Sequence, residues 1–140
     1  MSELKSLILA KLAQPRLSAL ATVDADGKPW VRYVTPIMDA NLTIRFVTHF
    51  NSRKVSQMLK NPEVHLTTGV TSPETAESYL QVQGRAEILT DEANKKAFWD
   101  DRMLNYFSGP DDPNYAIVEI KPYRIEYQAM SMTPPQVWMA

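Results

Sequence analysis

The chain has 140 residues, a formal net charge of −1 and an apolar share of 44%, values typical of one globular domain with its own hydrophobic core. No apolar run is long enough to span a membrane and no basic block occurs, so neither a membrane nor a nucleic acid is an expected partner. Cysteine is absent and the two histidines stand apart, so we expect neither disulfides nor a metal site. The sequence predicts a single domain over residues 1–140, located in the cytoplasm.

The N-terminal segment is predicted to be an amphipathic helix, because one side of it is apolar. The residues on that side are Leu4, Leu7, Ile8 and Leu12. Charges interrupt the segment too often for a signal peptide. Strands are predicted over residues 16–23 and 29–38, joined by the tight Asp-Gly turn at residues 24–28. The alternating residues Leu17, Ala19, Ala21 and Val23 share one face of the first strand, and Pro36 predicts an edge or a bulge in the second.

The rest of the chain continues as strands and short helices. Strands are predicted over residues 42–50, 63–70, 77–89 (bent at Gly84) and 115–129 (interrupted at Pro122), and a short helix over residues 52–60. A second helix is predicted to be capped by Thr90, with Ala93, Ala97, Phe98 and Met103 on its buried side. Residues 105–114 are predicted to form a loop. Six strands in successive hairpins, with short helices at the crossings, predict a mainly β fold built around an antiparallel barrel.

The segment from Ile44 to Val55 carries the strongest functional signal. A strand runs directly into a helix, and the junction holds the hydroxyls of Thr48 and Ser52 beside the adjacent cations Arg53 and Lys54. Ser52 is a natural N-cap, and a helix N-terminus attracts anions. A guanidinium beside an ammonium suits a terminal phosphate. The junction therefore predicts a phosphate-bearing small molecule, with a merely solvated helix face as the alternative.

The order of these motifs resembles a known family. An Asp-Gly hairpin, a central strand arginine, Phe46-Val47-Thr48, Ser52-Arg53-Lys54, Asn61-Pro62 and Val82-Gln83-Gly84 follow one another as in the pyridoxamine 5′-phosphate oxidase-like flavin-binding superfamily. That superfamily has a split β-barrel, so the resemblance implies a six-stranded antiparallel split β-barrel with flanking short helices. In length and layout the chain resembles the small bacterial general-stress-protein branch most. The resemblance covers roughly Arg16 to Tyr127.

The resemblance implies a homodimer with FMN at its interface. Arg32 opens the flavin-contacting stretch, Val47 and Thr48 run along the flavin and its ribityl chain, and the basic pair holds the phosphate. The cofactor-binding residues expected on this basis are Arg32, Tyr33, Val34, Thr35, Val47, Thr48, Ser52, Arg53 and Lys54. Trp30 and Trp138 remain open between simple packing and covering the flavin ring, whereas Trp99, Tyr106 and Phe107 are expected in the core or at a dimer interface.

Three departures from the family pattern speak against the vitamin substrate. Ile37 stands where oxidase members carry a lysine, Tyr79 where they carry a glutamine, and the tail over residues 131–140 contains no Arg, Lys or His. That tail is expected to be flexible or to contact a dimer partner. The sequence thus predicts an FMN-dependent oxidoreductase of unknown substrate, with no catalytic residue assigned. The alternatives are a non-enzymatic flavin carrier or sensor in a stress response, and a deazaflavin or haem on the same fold.

Overall fold

The computed structural model describes residues 2–140, which form eight strands, three α-helices and one 3₁₀ helix. In chain order these are α1 (Glu3–Leu12), β1 (Ser18–Val23), β2 (Pro29–Val34), β3 (Ile37–Met38), β4 (Ile44–His49), α2 (Arg53–Lys60), β5 (Glu63–Thr68), β6 (Ser78–Leu89), α3 (Glu92–Phe98), the 3₁₀ helix (Asp101–Asn105), β7 (Tyr115–Ala129) and β8 (Gln136–Met139).

All strand pairs are antiparallel, and the sheet order is β2-β1-β5-β6-β7-β4-β3. The long strand β7 pairs with β4 through its first half and with β8 through its second half. The sheet curls into a half-barrel, so the predicted fold class is confirmed. The predicted count of six strands is wrong for two reasons. The second predicted strand is divided into β2 and β3, and part of the tail forms β8.

The division between β2 and β3 creates the split in the barrel. These two strands lie at opposite ends of the strand order, although only Thr35 and Pro36 separate them in the chain. Pro36 has no backbone N–H to donate to a ladder, and its carbonyl accepts a bond from the Arg16 N–H at 3.3 Å. The prediction that Pro36 marks an edge is confirmed. Residues 33–35 therefore sit at the seam where the two sheet edges meet.

The core fills the concave side of the sheet. Its members come from the seven strands β1 to β7 and from α1 and α2, and include Ile8, Leu12, Leu20, Phe46, Met58, Leu66, Val82 and Ile120. The predicted apolar side of α1 is confirmed, because Ile8 and Leu12 are fully buried and Leu4 packs against the same cluster. Gly84 lies so close to β7 that a Cβ would stand 2.8 Å from Ile120 Cγ2. The ladder shifts register at Gln83/Gly84, opposite Pro122, which confirms the predicted bend.

The predicted alternation along β1 is present, but the face shared by Ala19, Ala21 and Val23 is the less buried one. Ser18, Leu20 and Thr22 are buried, whereas Leu17 is 60% exposed. Both sets of alternating positions are small or apolar, so the period of two does not decide which set faces the core.

Helix α3 also differs from its prediction. Asp91 rather than Thr90 caps α3, because its carboxylate accepts a bond from the Asn94 N–H at 3.0 Å. Ala93 and Ala97 are exposed, and the buried residue is Lys95. The Lys95 ammonium donates to the Asp112 carbonyl at 2.9 Å. Phe98 and Met103 pack against the buried cluster of Phe107, Tyr115 and Ile117, so this part of the predicted buried side is confirmed.

Candidate functional site

The junction of β4 and α2 is built from local sequence. Alternation along β4 buries Thr48, and the chain then turns through a bond from the Ser52 N–H to the His49 carbonyl at 3.0 Å. Ser52 is the N-cap residue of α2, as predicted, but its side chain makes no capping hydrogen bond. Its Oγ lies 3.4 Å from Thr48 Oγ1 instead. The first N–H groups of α2 therefore have no side-chain acceptor, which favours an anion at this end.

Lys54 points from α2 back toward the strand. Its Nζ donates to Thr48 Oγ1 at 2.9 Å, and the side chain is half-buried. Burial lowers the pKa of Lys54, and the positive charge of Arg32 lowers it further. The ammonium is thus held by a neutral hydroxyl in a place that does not favour its charge.

Arg32 reaches the same region from β2, where it lies opposite Leu20 of β1. Its guanidinium donates to Thr22 Oγ1 at 2.6 Å and to Gln57 Oε1 at 3.1 Å, and Thr22 also donates to Gln57. Further contacts at 3.3 Å are made to the carbonyls of Leu20 and Trp30. Burial lowers the pKa of Arg32, with a second contribution from the charge of Arg53. Every partner of this guanidinium is a neutral oxygen.

Arg53 is exposed and stacks on an indole. Its Cζ lies 4.3 Å from the centroid of the Trp30 ring, a cation–π distance. The Trp30 Nε1–H donates to Asp24 Oδ2 at 3.0 Å, which fixes the ring. Trp30 therefore stacks on Arg53 and is not among the residues that line the cleft described below.

Arg32, Arg53 and Lys54 form what we call the cation cluster. Among residues 2–140, none of the three lies within ion-pair distance of a carboxylate, although seven other ion pairs occur. Like charges brought together without a counter-charge raise the free energy of the protein. An anion bound here would remove that repulsion.

A cleft of about 530 Å³ opens beside the cation cluster, within the size range of small-molecule sites. Six of the predicted residues line it, namely Tyr33, Val34, Thr35, Val47, Thr48 and Lys54. The other three predicted residues, Arg32, Ser52 and Arg53, are not in its lining. The structure therefore places the seam of the barrel, the C-terminal end of β4 and the start of α2 around one cleft.

The sequence missed the remaining lining residues. Most come from the segment between α3 and β7, and the full set is Pro15, His49, Asp100, Arg102, Met103, Tyr106 and Phe107. Phe107 is buried, as expected, whereas Tyr106 is 67% exposed rather than part of a core. Only the paired aromatics at 106 and 107 could have signalled this wall. Trp138 packs against the barrel core from β8 and is not in the cleft lining.

Two classes of site are not found in the described part of the chain. Residues 2–140 contain no group of three or more His, Asp or Glu side chains placed to hold a metal ion. No helix over the same residues is long and apolar enough to cross a membrane.

The sequence profile described as "Pyridoxamine 5′-phosphate oxidase" matches residues 4–129. The chain belongs to this family. General stress protein 26 of Bacillus subtilis is 34% identical over 120 residues, which span 86% of this chain and 84% of that protein. The crystal structure of general stress protein 26 from Bacillus anthracis has a TM-score of 0.82 at 27% identity, and covers 99% of this chain and 100% of that one.

Oxidases that carry the family name are larger. The pyridoxine/pyridoxamine 5′-phosphate oxidase of Cupriavidus taiwanensis is 36% identical over 93 residues, which are 65% of this chain but only 42% of that enzyme. The match to this oxidase thus spans less than half of it. An F420 Reductase structure shares the fold with a TM-score of 0.65 at 27% identity, covering 83% of this chain and 93% of that one.

Proposed function

We propose that this chain is a flavoprotein that binds FMN between two copies of itself and acts as an oxidoreductase. The cation cluster carries the proposal, because three positive side chains converge without a carboxylate partner within residues 2–140. A terminal phosphate offers a dianion whose oxygens suit both a guanidinium fork and an ammonium. When bound, FMN supplies the electron transfer.

The side chains have distinct tasks in this proposal. Arg53 and Lys54 bind the phosphate together with Ser52 and the free N–H groups at the start of α2. Thr48 orients Lys54 through their 2.9 Å hydrogen bond. The hydrogen bonds from Arg32 to the uncharged side chains of Thr22 and Gln57 hold its guanidinium in place without neutralising its charge. Each charge is thus positioned before the ligand arrives, which reduces the ordering that binding requires.

The flavin ring is assigned to the apolar part of the cleft. Tyr33 and Val34 line it from β2, Thr35 from the seam, and Val47 from β4. Apolar side chains here would exclude water from one side of the ring. The other side of the ring requires a cover, and a second copy of the chain would provide it.

The surface suited to that second copy is the outer apolar face, defined as Leu17, Ala19, Val31, Tyr33, Tyr79 and Met130. Val31 is 67% exposed and Tyr33 75% exposed, and Tyr33 lies directly opposite Ala19 in the β1–β2 ladder. Tyr33 lines both the proposed flavin cleft and a second groove along this face. An apolar surface of this kind favours association. The shared tyrosine would place the flavin at the interface.

Replacing Val31 with Glu tests the dimer and the flavin site together. A carboxylate buried in an apolar interface is strongly unfavourable, so we expect a monomer in sedimentation and at least about tenfold weaker FMN binding. Leu59→Glu is the matched control, because Leu59 is 62% exposed on α2 and lies outside the outer apolar face. A wild-type protein that sediments as a monomer with FMN tightly bound would contradict the proposed assembly.

We do not propose pyridoxamine 5′-phosphate oxidation. A second anion would need a second free cation, but Arg102 is paired with Asp100 at 2.9 Å and Arg124 with Glu126 at 2.7 Å. Ile37 supplies no charge. The tail strand β8 pairs with β7 and contributes nothing to the cleft lining.

The FMN-loaded protein should therefore release no hydrogen peroxide with pyridoxine 5′-phosphate beyond its background rate. A true oxidase of the family, assayed in parallel, provides the positive control. Turnover at a comparable rate would overturn this exclusion while leaving FMN binding intact.

Other cofactors and roles are separated by simple measurements. A deazaflavin coenzyme is the second candidate, favoured by the likeness to the F420 Reductase, and it would use the same cation cluster. Haem would need an axial ligand, and His49 is the histidine in the cleft lining, with its Nδ1 2.9 Å from Asn114 Nδ2. The visible spectrum of the purified protein distinguishes the three. Oxidation of reduced nicotinamide by the loaded protein distinguishes an enzyme from a flavin carrier or sensor, and we place either one in the cytoplasm.

A further inference from the structure

The wall of the cleft between α3 and β7 differs from the rest of the lining. It combines the apolar side chains of Met103 and Phe107 with the exposed ring of Tyr106. Phe107 is held from two sides, by the His49 ring at 4.8 Å and the Tyr115 ring at 5.2 Å between centroids. A fixed aromatic ring beside a more exposed one suits a flat apolar ligand.

One ion pair is set into this wall. Arg102 Nε and Nη2 donate to the two carboxylate oxygens of Asp100, each at 2.9 Å. Asp100 Oδ1 also accepts from the Arg102 backbone N–H at 2.9 Å, which caps the 3₁₀ helix. The bond from Arg102 is the main reason that the pKa of Asp100 falls to about 2. The carboxylate therefore stays charged throughout the physiological range and occupies both prongs of the guanidinium.

This pair leaves no free cation for a second ligand. Among the described lining residues, Lys54 and Arg102 are the only Lys or Arg side chains. Lys54 belongs to the cation cluster, and Arg102 is neutralised. An anionic ligand would find no free cation in this part of the cleft to offset the loss of its hydration, whereas an uncharged one needs none. The pair is largely exposed, so it adds little to the free energy of unfolding. We expect it to affect which ligands the cleft binds.

We propose that the cleft takes, beside the flavin, an uncharged planar aromatic molecule, and that Asp100 is the residue that excludes anionic analogues by occupying Arg102. This inference rests on the proposed function, because it assigns the cation cluster to the flavin phosphate. Tyr106 and Phe107 contact the ligand ring, and Met103 fills the space beside it.

The test uses the FMN-loaded protein and two probes of equal shape, 2-naphthamide and 2-naphthoate. Calorimetry should show that the wild type binds the amide at least about tenfold more tightly than the carboxylate. Asp100→Asn keeps the size of the side chain and frees Arg102, so the preference should fall to about threefold or less. Asp101→Asn is the matched control, since Asp101 bonds the Trp99 indole N–H and is not in the cleft lining. It should keep the wild-type preference.

Arg102→Gln moves the preference in the opposite direction. The Asp100 charge then faces the cleft alone, and discrimination against the carboxylate should increase. Unchanged affinity for 2-naphthamide in each variant shows that the cleft remains folded.

Equal binding of the two probes by the wild type, failure to bind the amide, or an unchanged preference in Asp100→Asn would each overturn the inference. Visible absorbance before each titration shows whether FMN is retained. Loss of FMN from the wild type would contradict the proposed function itself, so the two failures are distinguishable.

Discussion

Two half-buried arginines of the barrel, one on β2 and one on β4, have opposite surroundings. Arg45 on β4 lies between two carboxylates, at 3.1 Å from Asp39 and 2.9 Å from Glu119. Arg32 on β2 has similar burial, but its partners are a threonine hydroxyl, an amide oxygen and two backbone carbonyls. The charge of Arg45 is compensated within the described chain, whereas that of Arg32 is not.

The difference separates a structural cation from one that the proposed function assigns to ligand binding. A compensated pair holds β4, β7 and the turn before β4 together and needs nothing from solution. An uncompensated guanidinium near two other cations raises the free energy of the protein until an anion arrives. The lack of a carboxylate partner, rather than burial alone, thus distinguishes the candidate site in this barrel.

Replacing each arginine with methionine should give the largest difference, with stability lost at Arg45 and FMN affinity lost at Arg32. Arg45→Met leaves the poorly exposed Glu119 with only a distant partner, Lys121 at 3.9 Å. We expect it to lower the free energy of unfolding by about 2–3 kcal/mol, somewhat less than for a fully buried pair, with FMN affinity changed by less than about threefold. Arg32→Met should change stability by less than about 1 kcal/mol, because Thr22 and Gln57 remain bonded to each other.

The FMN affinity of Arg32→Met should fall at least about tenfold, the loss expected for one charge-assisted hydrogen bond. Urea unfolding and calorimetry measure the two quantities. The comparison breaks if Arg32→Met proves the more destabilising variant, or if the two substitutions weaken FMN equally.

A smaller effect should appear in the pH dependence of binding. Burial lowers the pKa of free Lys54 below its ordinary value of 10.5, and a bound phosphate would raise it again. Binding then takes up a proton between the two pKa values, so FMN affinity should fall as pH rises through that window, by at most about tenfold per pH unit.

Riboflavin corrects this measurement for any titration of the ring itself, and Lys54→Arg, which stays charged, should remove the decline. A decline of equal slope in Lys54→Arg would show that another group titrates. That result would mean that the uncompensated charge of Lys54 does not respond to FMN as the comparison of Arg32 with Arg45 implies.

Local sequence patterns predicted the strands and helices better than they predicted which strands pair with each other. The Asp-Gly turn at residues 24–28 is confirmed, with Gly27 at a φ of 78°. The split between β2 and β3 depends on which sheet edges meet, and β8 depends on a partner strand far away in sequence. Neither dependence is visible within a short window. The apolar residues on the outward face of β1 are accounted for by the proposed dimer, because a second copy would bury that face as the core buries the other.

The candidate site divides in the same way. The start of α2 could be predicted because Ser52, Arg53 and Lys54 are adjacent and their chemistry is local. The position of Arg32 depends on the β1–β2 register and on Gln57 from α2, so only the family resemblance pointed to it. Asp100 and Arg102 lie around an irregular 3₁₀ segment without periodicity, and no pattern predicts their place in the cleft.

The central claim is that the cation cluster binds the phosphate of a flavin. The most direct measurement compares FMN with riboflavin, which lacks the phosphate, in the double variant Arg53→Ala, Lys54→Ala. Two lost charge-assisted hydrogen bonds, at about 1.5–3 kcal/mol each, should weaken FMN by tenfold or much more while riboflavin changes by less than about threefold. Lys60→Ala with Lys121→Ala removes the same charge elsewhere and should leave both affinities unchanged. Equal loss of FMN and riboflavin would contradict the account.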